Sequence, residues 1–107
     1  MDFTTIITGF AQSAPGTDAF LQVKDQVLAL IKSDPDNAAA YFLVYGFARS
    51  YVILHDDEGV TTEIASAAQE QLLSYMRAIE PVLGDAKGLV DAMNQIVLDY
   101  DRRRQFF

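Results

Sequence analysis

The four consecutive residues His55, Asp56, Asp57 and Glu58 form the densest run of potential metal-ligating side chains in this 107-residue chain. Imidazole and carboxylate groups can bind a divalent cation or exchange protons. Four adjacent side chains at a helix end point in different directions, however, and the glycine spacing of a calcium-binding helix–loop–helix is missing. We therefore interpret the run as a solvated loop between two helices, and we expect no metal site.

Nucleophilic catalysis has little support in the sequence. The chain has no cysteine, and His55 is its only histidine. Its serines lie in helical or capping contexts, and none has the strand–turn–helix surroundings of an activated serine. The Glu-x-x-His pairs that a di-metal carboxylate bundle requires are missing as well. The sequence predicts a protein that is not an enzyme, with no catalytic residue and no cofactor.

The charge of the chain is strongly negative and unevenly distributed. There are 15 acidic and eight basic side chains, and three of the basic ones are consecutive, at Arg102, Arg103 and Arg104. Residues 1–101 therefore contain 15 acids and five bases. Such a surface repels nucleic acid phosphates and anionic membranes, and it favours association with a cationic protein surface. We predict a basic protein partner and no binding to nucleic acid or membranes.

No segment has the pattern of a signal peptide or of a membrane span. Asp2 stands where a signal peptide needs a basic residue, and the longest nearly apolar run, residues 38–48, has 11 residues. A membrane-spanning helix needs about 20. Together with the lack of cysteine, this pattern predicts a cytoplasmic protein. The sequence leaves both a monomer and a homodimer open.

Apolar residues recur at helical spacing along almost the whole chain. Residues that cap or break helices separate five such segments. These signals are Asp2, Pro15-Gly16, Asp34-Pro35, Thr61 or Thr62, Pro81 and Gly84-Asp85. The pattern predicts an all-α fold, a compact five-helix bundle that forms a single domain over residues 1–107.

The third predicted helix, about residues 35–55, has apolar side chains on every side. A helix of this kind belongs in the middle of a bundle, where it is largely buried. Its small residues Ala39, Gly46 and Ser50 form a narrow strip, which predicts that another helix crosses closely at Gly46. Arg49 is the one charge in the middle turns, and it could form a structural ion pair or line a ligand pocket.

One segment resembles a known repeat family. The stretch from Val23 to Tyr41, VKDQVLALIKSDPDNAAAY, is similar to the junction between two tetratricopeptide repeats, and Arg77-Ala78-Ile79-Glu80-Pro81 resembles a second helix end of that kind. The prolines at 35 and 81 are 46 residues apart, whereas the repeat has about 34 residues. The resemblance implies at most stacked helical hairpins with a groove.

Two functions fit this acidic, helical chain best, and a third, an enzyme or ligand-binding sensor, would need a ligand pocket beside Arg49. The first is an immunity-type or inhibitor protein whose carboxylates block the basic cleft of a toxin or an enzyme, with tyrosines as aromatic anchors. The second is a helical adaptor or chaperone, similar to a tetratricopeptide hairpin, that binds a peptide or helix in an apolar groove. For the first function, the candidate partner-binding residues are Asp56, Asp57, Glu58, Glu63, Tyr41 and Tyr45.

Overall fold

A computed structural model gives the fold of the chain and describes residues 1–56 and 59–107. Within these ranges the chain forms five α-helices and no strand, so the predicted all-α five-helix bundle is confirmed. Single 3₁₀ turns precede α3 and follow α4. The helices are α1 (Phe3–Gln12), α2 (Thr17–Ser33), α3 (Ala38–His55), α4 (Thr62–Ile79) and α5 (Ala86–Arg102).

Short-range signals place most of the helix starts. The side chains of Asp2, Thr61 and Asp85 each accept a hydrogen bond from the backbone amide three residues later. Each bond satisfies an amide that the first turn of a helix leaves without a partner. The predicted starts of α1, α4 and α5 are therefore confirmed, and each has its capping hydrogen bond.

The junction between α2 and α3 differs from the prediction. Pro35 begins a 3₁₀ turn, and α3 starts only at Ala38. The Asp34 carboxylate accepts hydrogen bonds from side chains instead of from helical amides: the Asn37 amide donates at 2.9 Å and the Tyr41 hydroxyl at 2.6 Å. This side chain therefore fixes the turn to the beginning of α3.

The α3 helix contacts α2, α4 and α5, as expected of a central helix. The ring of Phe20 in α2 stacks on Tyr51 in α3, with centroids 3.8 Å apart, and Phe10 of α1 meets Phe20 edge-on at 5.2 Å. The edge-on contact of Phe10 with Phe20 is a favourable arrangement for an aromatic pair. The inward face of α3 consists of Ala40, Tyr41, Val44, Phe47, Ala48 and Tyr51.

One side of α3 is left bare. Phe42 and Ile53 are each 61% exposed, and Gly46 and Arg49 on the same side are exposed too. A methyl group added at Gly46 would meet nothing within 4 Å among the described residues outside its own helix backbone. The predicted close helix crossing at Gly46 is therefore wrong within the described chain. The exposed position of Arg49 also removes the need for a buried ion pair.

Candidate functional site

The predicted acidic patch is only partly visible in the structure. Asp56 follows the last turn of α3, and Glu63 lies in the first turn of α4; both side chains are exposed. Asp57 and Glu58 lie outside the described residues. A role for these four carboxylates in partner binding therefore stays a prediction.

The two candidate tyrosines occupy different environments. Tyr41 is 2% exposed, with its ring 5.4 Å from that of Phe3. Tyr45 is half-buried, and its ring lies 5.7 Å from the exposed ring of Phe42. Tyr45 therefore offers ring surface to a partner, whereas Tyr41 serves the core. Their proposed role as anchors stays a prediction.

Burial and hydrogen bonding shift the ionisation of the Tyr41–Asp34 pair. The Tyr41 hydroxyl, and then the Asn37 amide, lower the pKa of Asp34 by stabilising its carboxylate. Burial, followed by the hydrogen bond to Asp34, raises the pKa of Tyr41. Asn37 also accepts a hydrogen bond from the Gly84 amide at 2.9 Å. This network joins the start of α3 to the turn before α5.

Replacing Tyr41 by phenylalanine is expected to lower the free energy of unfolding by about 1 to 2 kcal/mol near pH 7, because the Asp34 carboxylate loses a hydrogen bond. The folded-state pKa of Asp34 lies below its unfolded-state value. The stabilisation is therefore present above about pH 4 and is lost as the pH falls through the folded-state pKa. Urea unfolding should show a difference between the two proteins that shrinks below about pH 4.

The matched control for this prediction is Tyr45→Phe, which removes a hydroxyl without a hydrogen bond among the described residues. It should unfold like the wild type at every pH. A Tyr41→Phe difference that stays constant on acidification would show that the Asp34 hydrogen bond does not stabilise the fold.

An open groove runs between α3 and α5 on the bare side of α3. The two helices touch at few positions, whereas α2 and α3 pack along their length, so a space of about 290 Å³ remains. The walls are apolar except for two hydroxyl groups. The lining residues are Phe42, Leu43, Gly46, Phe47 and Ser50 of α3, Tyr100 of α5, and Phe107.

Exposed apolar side chains border this groove. On α3 the border is formed by Phe42 and Ile53, which are three turns apart on one side of the helix. On α5, Val97 is 48% exposed and lies one turn before Tyr100. By helical spacing Val97 lies on the side of α5 opposite to Asp99. The groove and its borders together form an apolar surface that water covers in the isolated domain.

The end of α5 is held in place by a polar network. The Asp99 carboxylate accepts hydrogen bonds from the Tyr75 hydroxyl of α4 at 2.7 Å and from Arg103 at 2.7 and 3.0 Å. Arg103 and then Tyr75 lower the pKa of Asp99. Because Asp99 is fixed toward α4, the adjacent Tyr100 faces α3, with its ring 5.3 Å from Phe47.

A buried amide that the sequence reasoning missed joins α4 to α1. Gln69 is 5% exposed, and its Nε2 donates hydrogen bonds to the main-chain oxygens of Phe10 at 2.7 Å and Ser13 at 3.1 Å. These carbonyls belong to the end of α1, where helical partners run out. Glutamine is mostly exposed in proteins. The one feature of the sequence that could have indicated burial of Gln69 is its position next to Ala68, on the apolar face of α4.

The described residues gather no group of three or more histidine, aspartate or glutamate side chains that could hold a metal ion. Among the helices of residues 1–56 and 59–107, none combines the length and the apolarity that crossing a bilayer requires. The fold and the groove thus define an all-α bundle with an apolar surface available for binding.

Comparison with known proteins found no relative of this chain. No family model, no curated protein and no solved structure matches the chain. The resemblance of residues 23–41 to a tetratricopeptide junction therefore gains no support from a wider similarity.

Proposed function

We propose that this chain is a protein-binding domain that holds an amphipathic, basic helix of a partner in the groove between α3 and α5. The observation that carries the proposal is an open groove with apolar walls, one of which is formed by the 61% exposed side chain of Phe42. A helix laid in a groove buries one apolar face against such walls. Such a domain would act as an adaptor or chaperone.

Gly46 adds a second argument. A glycine in the middle of a helix costs about 1 kcal/mol relative to alanine, and nothing in the described chain approaches it closely enough to use the missing side chain. A partner helix that crosses α3 at this point would use it, because glycine lets two helix backbones come close together. The bare glycine therefore supports a helix as the occupant.

The charge of the domain supports a basic partner. The formal charge is −7, and a helix with its apolar face in the groove would turn its other face toward this negative field. Complementary charge speeds the encounter and disfavours acidic competitors. A cytoplasmic location, in which such a partner would be met, stays a prediction.

The proposal predicts that Gly46→Lys raises stability and weakens binding. A lysine on this exposed helical surface should raise the free energy of unfolding by about 0.5 to 1 kcal/mol, while its side chain and charge obstruct the groove. The probe is a labelled synthetic helical peptide of about 18 residues, with leucines on one face and lysines on the other. Fluorescence anisotropy should show at least tenfold weaker binding, which is about 1.4 kcal/mol.

The matched control is Gly9→Lys. Gly9 is an exposed glycine in the middle of α1, with open space around it, and α1 does not line the groove. The substitution changes net charge and stability in the same way as Gly46→Lys, so its affinity should stay within about twofold of the wild type. Failure of the wild type to prefer this peptide over a scrambled version would contradict the proposed function.

The second candidate is an inhibitor of a basic cleft. It is favoured by the exposed carboxylates of Asp56, at the end of α3, and Glu63, at the start of α4. Under that function the domain charge dominates the binding. Gly46→Lys and Gly9→Lys would then weaken it equally, and affinity would fall steeply as the salt concentration rises. Groove binding instead predicts a negative heat-capacity change from the buried apolar surface and a shallower fall of affinity with salt, because charge adds to the binding without dominating it.

A further inference from the structure

The last five residues of the sequence, 103–107, turn back onto the bundle after α5 ends; we call them the tail. Phe106 is 8% exposed, and Phe107 is half-buried. The ring of Phe107 lies 5.4 Å from Phe47 and 6.3 Å from Phe20. The tail thus places an aromatic side chain in a site with aromatic walls, which we call the ring site.

The ring site also holds the main chain of the tail. Ser50 Oγ donates a hydrogen bond to the main-chain oxygen of Phe107 at 2.7 Å, and the Tyr100 hydroxyl donates to the same oxygen at 3.3 Å. His55 Nε2 lies 3.2 Å from the main-chain oxygen of Phe106. These contacts hold the main chain of the tail, so Phe107 is kept in the ring site by its backbone as well as by its ring.

The ring site and the open groove are parts of one surface. Phe47, Ser50 and Tyr100 hold the tail, and the same three residues line the groove together with Phe107. The tail therefore covers one end of the groove, and the other end, at Phe42 and Gly46, remains open. A helix that extends along the whole groove would meet Phe107.

The chemistry of the tail indicates what the site accepts. Arg102, the last residue of α5, and the tail read Arg102-Arg103-Arg104-Gln105-Phe106-Phe107, which is three cations, a glutamine and two aromatic residues. The guanidinium groups of Arg102, Arg103 and Arg104 pair with Asp99 and Asp101, at distances of 2.7 to 3.2 Å. These ion pairs join neighbouring turns at the end of α5, so they fix the start of the tail, and the part of the tail that occupies the ring site is the aromatic side chain of Phe107.

We propose that the ring site is the anchor subsite of the groove, that it takes an aromatic side chain from the basic helix of a protein partner, and that the tail is its resident competitor. The inference rests on the proposed function and adds the anchor residue of the partner and the regulation of access. Binding of an aromatic anchor then requires that Phe107 leave the ring site, whereas a helix without such an anchor can bind the open end of the groove alone. The affinity of a partner is reduced by the fraction of time that the tail occupies this site.

The test uses the full chain and two versions of the labelled peptide, one with phenylalanine at its central apolar position and one with alanine there. Phe107→Ala should bind the phenylalanine peptide at least about tenfold more tightly than the wild type does, because the competitor is gone. The alanine peptide should bind both proteins with similar affinity. Leu98→Ala, a substitution of an exposed residue on the opposite side of α5, should change neither value.

A second measurement does not depend on the variant. In wild-type protein, the amide NMR signals of Gln105, Phe106 and Phe107 should become those of a mobile segment when the phenylalanine peptide saturates the groove. A tail that stays in place with the peptide bound would overturn the inference, even where Phe107→Ala proves to be unfolded by circular dichroism.

The other outcomes separate the two proposals. If the wild type binds the peptides but Phe107→Ala binds the phenylalanine peptide no more tightly, the tail is no competitor and the inference fails while the proposed function stands. If neither protein binds either peptide, the proposed function itself fails. A dimer in light scattering that Phe107→Ala converts to a monomer would overturn the inference, because the occupant would be the tail of a second copy.

Discussion

Replacing Phe47 by alanine is expected to lower the free energy of unfolding by about 3 to 5 kcal/mol, the usual cost of truncating a buried phenylalanine. Phe47 is 7% exposed, and its ring lies between 5.2 and 5.4 Å from the rings of Tyr75, Tyr100 and Phe107. These three rings come from α4, α5 and the tail, so the cavity would open where all of them meet α3. Urea unfolding at constant pH measures the effect.

Phe42→Ala is the control for this substitution on the same helix. Its side chain is 61% exposed, and surface substitutions usually change stability by no more than about 0.5 kcal/mol. A domain in which Phe47→Ala and Phe42→Ala unfold at the same urea concentration would not have α3 in its centre. Such a result would contradict the fold as well as the groove, because Phe47 forms part of the groove floor.

Replacing Gln69 by glutamate should destabilise the protein by about 3 to 5 kcal/mol near pH 7, the range measured for leaving a buried charge without a partner. The substitution preserves the shape of the side chain. It replaces the Nε2 group, which donates to the main-chain oxygens of Phe10 and Ser13, with a carboxylate oxygen that these oxygens repel. The end of α1 would then lose the polar contacts that Gln69 makes between it and α4.

The pH dependence of the Gln69→Glu destabilisation provides a sharper test than its magnitude at pH 7. Burial disfavours the charged form, so the folded-state pKa of the new carboxyl should lie above its unfolded-state value. The destabilisation is then full above the folded-state pKa and is relieved as the pH falls through it, because the protonated carboxyl can donate one hydrogen bond. Thermal unfolding between about pH 7 and pH 4 would follow this recovery.

Gln22→Glu makes the same change of charge at an exposed position of α2. It should have little effect on stability at any of these pH values. A Gln69→Glu protein that behaves like Gln22→Glu would show that the buried amide does not join the two helices. Together the two variants separate a local effect of the Gln69 contacts from the general effect of one more negative charge on an acidic domain.

Most of the helix boundaries could be read from the sequence because they depend on neighbouring residues. A side chain at Asp2 or Asp85 can reach an amide three residues away whatever the rest of the chain does. Asp34 was the exception. Its carboxylate has several donors within reach, and the hydroxyl of Tyr41, seven residues away, came close only because α3 begins after the 3₁₀ turn.

The candidate site was less accessible to sequence reasoning. The pattern of α3 showed apolar residues on all sides, and from that pattern we expected partners on all sides. The structure leaves the side with Phe42, Gly46 and Ile53 bare, because α5 touches α3 at few positions and, among the described residues, the tail covers just one end of the gap. The spacing of apolar residues predicts which side chains favour burial. It does not predict whether they are buried by other parts of the same chain or by a partner protein.

The sequence by itself determined the helical class, the approximate ends of the helices, the negative charge and the scarcity of reactive side chains. These properties are sums over residues or depend on contacts within about one helical turn. The tertiary structure alone decided that Gln69 holds the end of α1, that Tyr41 is buried while Phe42 is exposed, and that Phe107 lies against Phe47. Those contacts join residues far apart in the chain, and their free energy depends on how whole helices pack together, which no local pattern specifies.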